Sequence, residues 1–169
     1  MAKYKAPNPD EISIVNEPIG SYQNSSPMPF ANSILYGLPI KTPEYQMVSF
    51  EKIKILKDGL SKSNLEKLKS RAALDYDNLA KALSVTRVTL INAKGDEKYS
   101  SSVSERILAL SDLYSYGYKV FEDDTKFNAW MFRPNQALGN KPPFDIVDNQ
   151  FGREEIKNLL GRIEYGVYS

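Results

Sequence analysis

The chain has no cysteine and no histidine among its 169 residues. Without cysteine it has no disulfide framework, no thiolate nucleophile and no thiolate metal site. Without histidine it lacks the commonest general base near neutral pH and the commonest metal ligand. Long apolar runs are missing too: no stretch approaches the roughly 18 residues that a membrane-crossing helix needs. The first residues, Met-Ala-Lys-Tyr-Lys-Ala-Pro-Asn-Pro, lack the apolar centre of a secretory signal. Neither a Gly-x-Gly-x-x-Gly pattern nor a Walker sequence is present to cradle phosphates. These absences lead us to expect a soluble cytoplasmic protein that is not an enzyme and carries no cofactor and no metal.

What is present suffices for a packed core, with 41% hydrophobic and 11% aromatic residues. The formal charge of +1 conceals a regional split. Residues 51–115 hold 12 Lys/Arg against 9 Asp/Glu, whereas 1–50 hold 3 against 4 and 116–169 hold 7 against 8. The middle excess permits phosphate attraction without requiring nucleic acid.

Seven of the ten prolines lie in residues 1–46, and proline is excluded from helix interiors and central strands. This segment reads as an irregular N-terminal arm. Ile12, Ile14 and Val15 suit one short strand. Tyr22, Phe30, Leu35, Tyr36 and Leu38 are too apolar for a pure spacer, which leaves open whether the arm docks or stays disordered. From Val48 the pattern turns helical, and the expected fold class is all-α. The spacing divides the rest into a domain over 47–115 and another over 116–169. Ser63 with Glu66, and Ser102 with Glu105, are candidate capping boxes, and Asp75 is placed to cap a helix to about Leu83. The longest helix spans about 103–121. Along it Val103, Ile107, Leu110, Tyr114, Gly117 and Phe121 recur at spacings of four and three. That stripe fits core packing within one chain or a seam between two copies. A short helix comes next, near Lys126–Phe132, then a proline-rich turn. A final helix over about 153–163 carries Ile156, Leu159, Leu160 and Ile163 on one face, with Gly166 at a common C-terminal glycine position.

The segment Tyr76 to Lys94 has the layout of a helix-turn-helix. Leu79, Leu83, Val85 and Leu90 take inward positions, Ala80 is small at the helix crossing, and Ser84 occupies the tight turn where glycine is usual. Thr86 is placed to cap the second helix. Thr86, Arg87, Thr89, Asn92, Lys94 and Lys98 are therefore the candidate DNA-binding residues. Lys62, Lys67 and Lys69 are available for phosphates. A three-helix module used only for packing or dimerisation fits the same pattern. The acidic pairs Asp123-Asp124 and Glu154-Glu155 read as solvated helix starts, and Ser100 to Ser102 as a polar linker and cap, since no histidine base exists to activate them.

Residues 120–166 carry the most specific pattern. In order stand Val120-Phe121, Trp130, Pro134-Asn135, Ala137-Leu138-Gly139, Lys141-x-Pro143-Phe144, Asp145-Ile146, Gly152 and Leu159-Leu160-Gly161-Arg162-Ile163-Glu164-Tyr165-Gly166. Trp130, the sole tryptophan, is expected to anchor a small core, and Asn135 to satisfy backbone groups in the turn. Taken by themselves, Arg162 is a solvated helix-end charge and Tyr165 a packing residue.

The set resembles the toxin-binding domain of the Xre/MbcA/ParS-type bacterial antitoxins. The resemblance covers roughly residues 48–169 and is densest over 121–169, with Phe144 where leucine is common. The middle segment resembles an Xre-like domain: Thr86-Arg-Val-Thr-Leu90 matches the family's Ser/Thr-x-x-Thr-Leu. Asn92-Ala93 replaces the basic pair that comes after it there, with Lys94 one step later. The resemblance implies a toxin partner of the RES-domain type or a related NAD-consuming or ADP-ribosylating enzyme, whose cleft the C-terminal region blocks. It makes Trp130, Arg162, Glu164, Tyr165, Gly166, Val167, Tyr168 and Ser169 the expected toxin contacts, with Glu164 or the terminal carboxylate pairing with cations that hold the NAD phosphates. It further implies operator DNA as a second partner, autorepression and a homodimer or larger assembly. A stand-alone helix-turn-helix regulator without a toxin, and a structural dimerisation module without DNA, remain the alternatives.

Overall fold

A computed structural model describes residues 33–35, 42–94 and 96–166. Among them are seven α-helices and no named strand: α1 (Ser49–Asp58), α2 (Lys62–Arg71), α3 (Tyr76–Ala82), α4 (Arg87–Ile91), α5 (Ser101–Phe121), α6 (Asp124–Met131) and α7 (Gln150–Glu164). The all-α expectation holds. Ile12, Ile14, Val15, Tyr22, Phe30, Tyr36 and Leu38 lie outside the described residues.

Helix α5 is the axis of the molecule. Residues 110–115 are buried without a break, so this helix is enclosed on all sides over its middle turns. It packs against α1, α6, α7 and a 3-10 turn at Glu44–Gln46. Small side chains make the enclosure possible: Ser104, Ser111 and Ser115 are fully buried. Gly117 lies directly beneath the Phe127 ring, where a Cβ would overlap the ring carbons. Phe127 in turn contacts Tyr114, Tyr118, Phe121 and Trp130 at centroid distances of 5.2 to 5.8 Å. The stripe from Val103 to Gly117 is therefore interior, and Phe121 is half-buried at its end.

The start of α5 is capped by Ser100, whose Oγ accepts from the Val103 N–H, rather than by Ser102. Helix α2 is likewise capped by Ser61 with Asn64, whose Oδ1 accepts from the Ser61 N–H and hydroxyl at 2.9 and 3.0 Å. The expected Ser63–Glu66 box does not form, because Glu66 accepts from the Tyr76 hydroxyl instead. Asp75 and Thr86 cap α3 and α4 as expected, accepting from Asn78 and Thr89. Helix α7 begins at Gln150, capped by Asn149, three residues before its expected start. Glu154-Glu155 therefore lies in its second turn. Asp123 does cap α6, and the Lys126 N–H bonded to it lowers its pKa.

Part of the arm is docked. Ser33, Ile34 and Leu35 are fully buried. The carboxylate of Glu44, also buried, accepts from the Ser33 hydroxyl and from the backbone N–H groups of Ile34 and Leu35 at 2.6 to 3.1 Å. Three donors, the Ile34 N–H reaching both oxygens, replace the water that a buried carboxylate loses. Arg71 extends the anchorage, reaching the Ser33 carbonyl at 2.6 Å and Asp124 at 2.7 Å while lying over the Tyr118 ring.

Candidate toxin-contact and DNA-contact surfaces

Helix α7 buries Gly152, Ile156, Leu159 and Leu160 against α5, while Ile163 is half-buried. Gly152 is obligatory, since a Cβ there would overlap the carbonyl of Ile146. The helix is fixed at two levels by charge. Lower down, Asp112 of α5, with a side chain only 6% exposed, holds both Lys52 of α1, at 2.7 Å, and Lys157 of α7. A buried carboxylate with two ammonium partners joins three helices, and removing it would strand both cations. At the last turn, Glu164 accepts from the Tyr116 hydroxyl at 2.7 Å and pairs with Lys119. Tyr116 stacks on Tyr45 at 5.8 Å, and its pKa is raised by burial, then by the neighbouring Tyr165 and Tyr45.

The α7 end thus leaves a rigid base. Tyr165 is 78% exposed and Gly166 turns the chain with φ +66°, its N–H donating to Ile163. Arg162 is half-exposed and pairs with Glu155 at 3.3 Å. With Lys157, Asn158 and Gly161, these residues line an open groove of about 550 Å³. The structure therefore brings Arg162 and Tyr165 together. It turns Glu164 inward, so any cation of a partner must compete with Lys119 and Tyr116 for that carboxylate. Val167, Tyr168 and Ser169 lie outside the described residues.

Trp130 does not anchor the core. Phe127 and Met131, one turn apart on the inward side of α6, are fully buried, and Trp130 sits half-buried on the shoulder. It lines a separate groove of about 400 Å³ with Phe121, Asp123, Thr125, Lys126, Ala129 and Arg133. That groove shares no residue with the Arg162 and Tyr165 groove. In the next turn, Asn135 accepts from the Ala137 N–H as expected.

The helix-turn-helix segment folds as α3 and α4 packed together around Leu79, Leu83 and Leu90, all fully buried, with Val85 half-buried. Ser84 takes φ +49° in the turn, the left-handed conformation for which glycine is usual. Its hydroxyl donates to the Asp148 carbonyl at 2.9 Å, and Arg106 of α5 donates to the carbonyls of Leu83 and Ser84. Lys81 pairs with Asp145 and lies over Phe144. The turn thus rests on the loop that precedes α7.

Helix α4 has only five residues. The Lys62 ammonium and the Tyr99 hydroxyl close its carbonyl end by donating to Ile91 at 2.6 Å and Leu90 at 2.9 Å. Thr86, Arg87, Thr89, Asn92, Lys94 and Lys98 are all exposed. Arg87 pairs with Asp77 at 3.0 Å across an exposed gap, an interaction too weak to withhold it from a stronger anion. Lys69 is engaged by Glu66 and the Tyr76 ring. Among the described residues no cluster of three acidic side chains suits a metal ion, and no helix is long and apolar enough to cross a membrane.

Asp112, Lys52, Tyr116 and Lys119 were not singled out from the sequence. Asp112 carried a usable signal, an acid set between Leu110 and Leu113 on a helix with an apolar stripe. Glu44, between Pro43 and Tyr45, carried none.

The C-terminal region matches known proteins. A family model described as the antitoxin Xre/MbcA/ParS C-terminal toxin-binding domain matches residues 117–166. Its span opens at the glycine beneath Phe127 and closes at the glycine that ends α7. Two curated relatives, both named Antitoxin Xre, align over most of the chain. One, from Photorhabdus laumondii, is 26% identical over 117 residues, covering 68% of this chain and 79% of the relative. The other, from Yersinia enterocolitica, is 25% identical over 116 residues, covering 68% and 78%. Residues 117–166 thus match the Xre/MbcA/ParS C-terminal toxin-binding domain, and the chain is similar over about two thirds of its length to two proteins named Antitoxin Xre.

Proposed function

We propose that this antitoxin silences a cognate RES-type toxin, an enzyme that consumes NAD or transfers ADP-ribose, by seating its C-terminal end in the toxin's cleft. The carrying observation is the clamp on Glu164. By holding the last turn of α7 against α5 through Tyr116 and Lys119, the fold presents Arg162 and Tyr165 from a fixed platform. Preorganised tyrosine and arginine side chains are the residues in which small interfaces concentrate their energy. Inhibition by occlusion needs no catalytic group on the inhibitor. Glu164 serves as a positioning residue, Tyr165 and Arg162 as anchors, and Trp130 as a second contact in its own groove.

The same chain represses its own operon through α4, as a homodimer. The exposed face of α4 and the cations Arg87, Lys94 and Lys98 support this part. The family model and the named relatives speak for the antitoxin reading over that of a regulator without a toxin.

The test is co-expression with the gene that neighbours this chain's own, scoring growth and cellular NAD. Full-length chain restores both, and a chain cut after Ile163 restores neither. Restoration by the truncated chain would overturn the occlusion mechanism. For DNA, Arg87→Ala or Lys94→Ala lowers retention on the operon's promoter fragment and reduces the salt slope by about 1 per lost phosphate contact.

A further inference from the structure

We propose that Val88 reads DNA sequence by packing against the C5-methyl group of a thymine in the major groove. The inference rests on the DNA-binding part of the proposed function and extends it to a residue that the polar candidates pass over. Val88 is 62% exposed on a five-residue helix, and Ile91, three residues on, is 38% exposed. The fold does not need either side chain in that position. Leu90 supplies the helix's buried contact, Thr86 caps its start, and Lys62 and Tyr99 close its end.

Neither side chain is committed to the core, so both are free to meet a group outside the chain. The pair is small and flanked in sequence by Arg87, Thr89 and Asn92, with Lys94 and Lys98 further along the chain, all exposed, and with Asp77 paired to Arg87 and Asp96 and Glu97 between the two lysines. Cations and hydrogen-bonding groups beside one or two methyl-sized contacts are the complement of a duplex, not of an apolar helix from another protein. In the major groove the thymine methyl is the apolar group among otherwise polar base edges. Arg87 and Asn92 have the donors for guanine and adenine edges, and Val88, between Arg87 and Thr89 in sequence, offers two methyl groups.

The experiment measures binding of the full chain to the promoter fragment of its own operon. Thymines are replaced singly by deoxyuridine, which removes only the methyl group. Wild-type protein is expected to lose about fourfold in affinity at one or two positions, the loss that one buried methyl implies. Val88→Ala is expected to bind the normal fragment more weakly and to be indifferent to deoxyuridine at those same positions. Equal sensitivity in wild type and variant overturns the proposal, as does a wild type indifferent at every thymine. Should Val88→Ala change the oligomeric state in light scattering while keeping wild-type deoxyuridine sensitivity, the patch is a protein contact and the proposal falls. Absence of any salt-dependent binding by wild type sinks the DNA-binding reading as well. Binding without methyl sensitivity sinks this inference alone.

Discussion

The two ends of α5 are held by different physics. Toward its C-terminus the contacts are buried: Gly117 lies under Phe127, and from mid-helix Asp112 sits between two lysines. Toward its N-terminus it supports a turn and a five-residue helix held by groups that face water. Lys81 and Asp145 are each about half-exposed, and Arg87 and Asp77 more so. Exposed ion pairs contribute little, so the α3–α4 unit depends on its caps and on Leu79, Leu83 and Leu90. The lesson is one of division. The region matched to the toxin-binding family adds buried charge and close backbone contacts to its apolar core, whereas α3 and α4 combine three buried leucines with ion pairs that face water.

Substitutions can break that contrast, beginning where the effect is greatest. Gly152→Ala forces a Cβ into a backbone carbonyl that has no room to retreat, and is expected to cost about 3 kcal/mol or more in chemical denaturation. Asp112→Ala leaves Lys52 and Lys157 facing each other. Since both lysines keep about a third of their exposure, the loss is set at about 2 kcal/mol, below the range for a fully buried pair. Thr86→Ala removes the α4 cap and is expected to cost about 1 kcal/mol, with Thr86→Ser recovering most of it. A loss from Thr86→Ala as large as that from Gly152→Ala would erase the contrast.

Alkaline titration sharpens the comparison further. Tyr76 is pushed up to about 12, first by donating its hydroxyl to Glu66 and then by burial. Tyr99 rises to about 12 through burial and the charge of Glu66. A tyrosine whose folded pKa exceeds its unfolded value of 10.0 stabilises the fold fully below pH 10, and that contribution disappears as pH rises to about 12. Tyrosinate absorbance should show both residues resisting ionisation until the α3–α4 side opens. Tyr76→Phe is expected to remove one resistant group and flatten the loss of stability over that window.

How much of this was legible in the sequence depends on the range of the interaction. Asp75 and Thr86 were recognisable as caps because the donor they satisfy lies three residues away. Ser61 and Ser100 were misplaced by two residues for the same reason: each stands in a serine-rich stretch where local rules admit several caps. The choice fell to Asn64 and to the register of Val103. Arg162, Tyr165 and Gly166 were found through their resemblance to a family, and the fold leaves Tyr165 and Gly166 exposed and Arg162 half-exposed. Trp130, the sole tryptophan, was expected to anchor the core, yet the inward side of α6 is set by Phe127 and Met131.

Local chemistry alone set the helical class, the order of the helices, the tight turn at Ser84 and the stop at Gly166. These follow from hydrophobic period and cap chemistry, which act over three or four residues. Assembly in three dimensions settled that Asp112 would bind two lysines from helices far apart in the chain, that Glu164 would turn inward to Tyr116 and Lys119, and that Ile34 and Leu35 would be buried with Glu44 as their acceptor. Those outcomes depend on which surfaces meet once α5 is enclosed. A one-dimensional pattern carries no distance between residues such as Asp112 and its two lysines, which lie 60 and 45 positions away.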